Sequence, residues 1–169
     1  MRFDWKKLLI TAAVLSLGTT VISAQDTVIA SGLNAPRHVF YGADGTLYIA
    51  EAGAGGDERA TSGMGGGEVS VGFTARVSSV SPEGEQGVLV DGLFSTADDF
   101  GSVEGVSSVY VDDQFAWLVL GAGTDRLSAP NDAIFAALAQ VDLATDAIVN
   151  AVDLFAFEEA NNPDGTSEI

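Results

Sequence analysis

Residues 32–53 read GLNAPRHVFYGADGTLYIAEAG. Two short runs of aliphatic and aromatic residues flank the turn residues Ala43-Asp44-Gly45, and Gly53 closes the segment. Side chains alternate along a strand. Val39 and Tyr41 therefore share one face of a first strand, and Leu47 and Ile49 one face of a second. Tyr48 and Ala50 line that second strand's other face. Gly45 adopts positive φ without steric cost, which suits a hairpin between the two. Pro36 fixes its own φ and directs Ala35 toward the extended region, which argues against a helix here.

A weaker copy of the pattern stands at residues 105–121, GVSSVYVDDQFAWLVLG. Val109, Val111, Trp117 and Val119 follow Val39, Tyr41, Leu47 and Ile49 at one constant offset. Val77 then matches Val141 and Asp91 matches Asp153, at slightly shorter offsets that fit loops of unequal length. Repeated four-stranded units of this kind are the mark of a β-propeller. The sequence thus predicts an all-β fold: a partial β-propeller of about two four-stranded antiparallel blades from a six-bladed parent.

Blade one spans 25–104. Its third strand is expected near 75–80 and its fourth near 87–91, joined by Pro82-Glu83-Gly84. Residues 53–67 between the second and third strands hold seven glycines in fifteen, which predicts a mobile exposed loop. Blade two and the truncated start of the next span 105–169, with strands at 107–111 and 115–120 and a long loop at 121–132. A helical turn is expected at 133–137, a strand from Leu138, and a short helix over 153–160. A propeller typically needs about four to eight blades. Two blades leave apolar faces and strand edges bare, so the remaining blades or self-association are needed for stability.

The chain has 169 residues, with seven Lys and Arg against 24 Asp and Glu. Its start has the order of an export leader. Arg2, Lys6 and Lys7 precede the apolar run Leu8 to Ile22, and Ser23-Ala24 supplies small residues before Gln25. Fifteen apolar residues are short for a bilayer span, so a signal peptide over 1–24, cleaved after Ala24, is expected, giving a secreted or periplasmic protein. The remainder carries four arginines, no lysine and 23 acids, a formal charge of −19. Such a chain repels phosphate backbones and anionic lipid, which argues against nucleic acid and, after cleavage, against membrane. There are no cysteines; thiol nucleophiles, thiolate metal sites and disulfides are excluded.

Several stretches carry a family likeness. They are Gly32-Leu33 with Pro36-Arg37, Gly42-Ala43-Asp44-Gly45, Leu47 to Gly53, and Phe157-Glu158-Glu159-Ala160-Asn161-Asn162-Pro163-Asp164-Gly165. Together they resemble the ScyD/ScyE family, exported NHL-like β-propeller proteins named after a cyanobacterial pigment gene cluster. The likeness runs from about Val28 to Gly165 and is most specific around Asn161. It implies an exported propeller about twice this length, continuing past the Asn-Pro-Asp-Gly stretch into further blades, with this chain truncated. Members often carry a cysteine where this chain has Ser70. The resemblance supplies no catalytic residues.

His38, the single histidine, stands at the start of a strand; with Arg37 and Arg126 it is a candidate to face a propeller channel. One histidine allows neither a poly-histidine metal site nor a legible Ser-His-Asp set. Glu51, at the exit of the second strand, is the candidate ligand should a calcium ion bind; no other cofactor is evident. Asp44, Asp112 and Asp113 sit in turns, where Asp bonds its own backbone. Two function classes follow. One is a non-catalytic binding or scaffold module for a small molecule or a protein. The other is a fragment of a propeller enzyme, a quinone-dependent sugar dehydrogenase or calcium-dependent lactonase, for which the visible ligands and bases are too few.

Mass spectrometry of the exported protein is expected to find Gln25, or its pyroglutamate form, as the first residue. A membrane-bound product that retains Met1 contradicts the leader assignment.

Overall fold

A computed structural model of the chain describes residues 27–61, 67–121, 133–161 and Gly165. The leader with its cleavage point, Arg126, and Asn162-Pro163-Asp164 lie outside the described residues.

The fold is all-β: among the described residues, two antiparallel sheets are followed by one short helix. The hairpin around Gly45 forms as expected, with β1 (Pro36–Tyr41) against β2 (Leu47–Glu51). β4 (Glu68–Val80) and β5 (Gln86–Asp98) complete a four-stranded meander. These two strands run 13 residues each, far past the ends expected from sequence. Their extra length pairs with β3 (Glu58–Thr61) and β6 (Val103–Glu104), so the first sheet has six strands rather than four. The second sheet is a four-stranded meander of β7 (Val106–Val111), β8 (Phe115–Leu120), β9 (Ala137–Asp142) and β10 (Ala147–Asp153). Helix α1 (Leu154–Asn161) follows, its first turn capped by the Asp153 carboxylate, which accepts from Ala156 N–H at 2.8 Å.

Four further expectations need correction. Residues 133–136 are not helical; Ala136 has φ 44°, and β9 begins at Ala137. The alanine-rich helical spacing there yields to pairing with β8. Ala35 is not extended but left-handed, at φ 49°. That region is open to a residue before proline when backbone bonds hold it, and here Ala52 N–H and Gly53 N–H donate to the carbonyls of Ala35 and Asn34. The described part of 53–67 is not simply an exposed loop. Gly53 and Gly55 are buried, 58–61 is a strand, and Gly56 stacks directly on Gly72. Absence of side chains here permits close packing of backbone.

The fourth correction concerns register. Both meanders carry a bulge at the same place in their first strand, between Pro36 and His38 and between Val106 and Ser108. Tyr41 pairs with Leu47, but Val111 pairs with Ala116, so the second turn is one residue shorter. The counterparts of Leu47 and Ile49 are therefore Ala116 and Leu118, not Trp117 and Val119, and that of Val77 is Leu138, not Val141. Ile49 and Leu118 are buried (2% and 0% exposed), whereas Val119 is 39% exposed. A one-residue change in a turn moves every following side chain to the other face.

The main core lies between the sheets. Ala50, Val77 and Val90 of the first meet Val109, Leu118, Ala139 and Val141 of the second, with Phe40 and Tyr48 packed at the margin. A smaller cluster of Val71 and Phe94 with Phe135 sits under the extension of β4 and β5.

Gly105 marks the closest approach of backbones in this core. A Cβ there collides with the Ala52 carbonyl and stands 2.8 Å from the Ala75 side chain. Gly105→Ala is expected to lower stability by about 1–3 kcal/mol, the usual range for forced overpacking. Gly67→Ala, with open space around it, is expected to leave the thermal midpoint in place. Equal midpoints for the two variants contradict this packing.

Candidate functional site

The features with chemical character lie at the two ends of the junction between β1–β2 and β7–β8. At one end stands Glu51, completely buried at the last position of β2. Its register partner on β4 is Arg76, whose Nε and Nη2 donate to Oε1 and Oε2 at 2.9 and 3.2 Å. Ser78 Oγ donates to Oε1 and Asn34 N–H to Oε2. Arg76 also donates to the Gly32 carbonyl at 3.0 Å. Burial pushes the Glu51 carboxyl up, but Arg76, then Ser78 and the Asn34 amide, outweigh it and hold the group below its ordinary value. The two oxygens thus accept four bonds, including a bidentate fork. A calcium ion here would have to displace Arg76. No group of three or more His, Cys, Asp or Glu able to hold a metal occurs among the described residues.

Next to this ion pair the 52–55 segment is clamped by two hydroxyls. Ser95 Oγ, fully buried, donates to the Ala52 carbonyl at 2.6 Å and accepts from Gly55 N–H at 3.0 Å. Thr74 Oγ1 accepts from Ala54 N–H and donates to the Gly55 carbonyl.

Arg37 and His38 both reach across to the segment 103–109. Arg37 Nη2 donates to the Val103 carbonyl, and His38 Nδ1 accepts from Val109 N–H at 3.4 Å. Arg37 lines a cleft of about 420 Å³ with Glu104, Gly105, Ser107 and Gly121. The imidazole is thus engaged by backbone, as a structural bridge between the sheets.

At the opposite, turn-bearing end is a larger cleft of about 550 Å³. Its apolar wall is Phe40, Tyr48 and Tyr110, with the Phe40 ring 4.9 Å from Tyr110 and 6.4 Å from Tyr48. Asp44, Asp112 and Asp113 stand at its rim. The first two are Asx-turn residues. Asp44 accepts from Thr46 N–H and Oγ1, and Asp112 from the amides of Gln114 and Phe115 and from the Trp117 indole. In Asp44 the Thr46 amide, and in Asp112 the Gln114 amide, leads in holding the carboxyl below its ordinary value. Tyr48 moves the other way, raised by burial and then by the Asp44 charge. The cleft therefore keeps a neutral Tyr48 phenol beside ionised carboxylates. Sequence reasoning missed this aromatic wall, although Phe40 and Tyr110 are separated by the same offset that relates the two units.

Comparisons with protein-family models, with curated proteins and with solved structures give no match.

Arg76→Ala leaves a buried carboxylate without its counter-charge and is expected to destabilise by about 3–5 kcal/mol at neutral pH. Because the folded-state value of Glu51 is depressed, its contribution is complete above its ordinary value of 4.5 and fades as pH falls through the lower folded value. Wild type is thus expected to lose stability on acidification below pH 4.5 more steeply than Glu51→Gln. Parallel pH profiles in denaturant melts contradict the role given to this pair.

Proposed function

We propose that the chain is an exported propeller module of the ScyD/ScyE kind that binds a small molecule and does not catalyse a reaction. Two four-stranded meanders that share a bulge position, and that stack with like faces pointing the same way, support reading them as successive blades. The matching strand pairing of the two hairpins, whose turns differ by one residue, and the leader-like start support the repeat and the export.

The observation that carries the binding reading is the cleft of Phe40, Tyr48 and Tyr110 rimmed by Asp44, Asp112 and Asp113. Its volume of about 550 Å³ suits a ligand pocket. Aromatic faces beside fixed negative charge favour a flat, positively charged guest and disfavour an anion. The class implied is an aromatic or alicyclic amine.

Calorimetry with tyramine, phenylethanol and phenylacetate tests this. Tyramine is expected to bind best and phenylacetate not at all. Tyr110→Ala is expected to weaken tyramine by roughly five-fold, near 1 kcal/mol. Since Asp44 and Asp112 ionise below their ordinary value of 3.8, binding persists down to that pH and fails only in stronger acid. Equal affinity for the amine and the acid sinks the reading.

A further inference from the structure

The rings of the turn-end cleft form one surface rather than a cage. Phe40 is the middle ring, with Tyr110 tilted against it at 4.9 Å and Tyr48 stacked at 6.4 Å. Aromatic rings packed on one another at such distances present a continuous apolar face. A quaternary ammonium is held best where several separate ring faces surround it. This wall offers its guest a flat platform instead, and leaves the guest's charged nitrogen to the rim.

The three rim carboxylates are not equivalent. Both oxygens of Asp44 are taken by its own turn, Oδ1 by the Thr46 amide at 3.0 Å and Oδ2 by the Thr46 hydroxyl at 2.8 Å. Both oxygens of Asp112 are taken likewise, Oδ1 by the Gln114 and Phe115 amides and Oδ2 by the Trp117 indole at 3.1 Å. These two groups are held in place by the fold and contribute charge. Asp113, the next residue of the same turn, lines the cleft, is exposed, and makes no hydrogen bond or ion pair among the described residues. Its carboxylate keeps its acceptor sites open. No Lys or Arg lines the cleft. Arg37, Arg59 and Arg76 are committed elsewhere, to the Val103 carbonyl, to Glu68 and Asp99, and to Glu51. Among the described residues nothing supplies Asp113 with a counter-charge.

We propose that Asp113 selects the guest of this cleft: it pairs with an ammonium that carries N–H donors, so the site prefers a primary amine to a quaternary one. The inference rests on the cationic-guest reading of the cleft and adds to it the selecting residue and the type of nitrogen. An ammonium N–H donates to an open carboxylate oxygen in a short, charge-assisted bond, which a trimethylated nitrogen cannot make. At Asp44 and Asp112 both kinds of guest meet the same fixed charge, and neither carboxylate tells them apart.

Calorimetry of the purified protein with tyramine and its N,N,N-trimethyl derivative tests this. The two guests share ring, chain length and charge, and differ in N–H donors. Wild type is expected to bind tyramine about five-fold more tightly, the upper range for an exposed ion pair. Asp113→Asn is expected to weaken tyramine by about that factor and the trimethyl guest by less than about two-fold, so that the preference disappears. Asp113→Glu is expected to keep the preference, and Asp44→Asn to weaken both guests alike. Because Asp113 has no partner in the fold, the thermal midpoint of Asp113→Asn is expected to stay at the wild-type value, which separates an effect on binding from one on structure.

A trimethyl guest that binds wild type as tightly as tyramine, or an Asp113→Asn variant that keeps the preference, overturns the role given to Asp113. If tyramine is then still preferred to phenylacetate, the cationic-guest reading stands without it. Wild type that does not distinguish tyramine from phenylacetate overturns both. A preference lost in Asp44→Asn and kept in Asp113→Asn places the contact on the other turn and overturns the assignment.

Discussion

The first sheet depends on one buried charge pair. Glu51 has no exposed surface, and its carboxylate is held by Arg76, Ser78 and the Asn34 amide. Through these bonds one side chain fixes three segments at once: the end of β2, the middle of β4, and the incoming stretch at residues 32–35. That stretch includes the left-handed Ala35, a conformation that costs about 1–2 kcal/mol for a residue with a Cβ. The ion pair and the carbonyl bonds from Ala52 and Gly53 make the strained path stable. Beyond Glu51 the chain turns into Gly53 and Gly55, whose lack of side chains lets Ser95 and Thr74 clamp the backbone directly.

The second constraint is length. The turn between β7 and β8 is one residue shorter than that between β1 and β2, and this decides which residues of β8 are inside. Leu118 and Leu120 enter the core while Val119 turns outward. The shortened turn also places Asp112 where its carboxylate receives two amides and the Trp117 indole. Turn chemistry and core composition are thus set by the same difference in length.

Much of this architecture was legible in the chain. The first hairpin, the extent of β8 and the helix after Asp153 follow from alternation, turn residues and capping. Glycine misled. In the 53–67 stretch it reads as freedom, yet Gly56 and Gly72 are small because two backbones meet there. The extension of β4 and β5 was hidden because Gly72 and Gly92 interrupt the apolar pattern; Gly72 pairs regularly with Ser95, and Gly92 falls in a bulge. The role of Glu51 could not be read from composition, since its partner Arg76 is distant along the chain and only strand pairing joins them. Phe40, Tyr48 and Tyr110 form a wall only once two sheets are stacked, a relation that no local pattern encodes.

At the place of Glu51, Arg76 and Ser78, the second sheet carries Leu120, Ala137 and Ala139, all buried. The same backbone position thus has a polar solution and an apolar one within a single molecule. Replacing Glu51 or Arg76 alone leaves its partner without a counter-charge, whereas Ser78→Ala alone removes one hydrogen bond. The two charged residues must therefore change together. Change at this site is thus confined to a jump in which both charges are lost at once, and intermediate sequences are filtered out by stability alone.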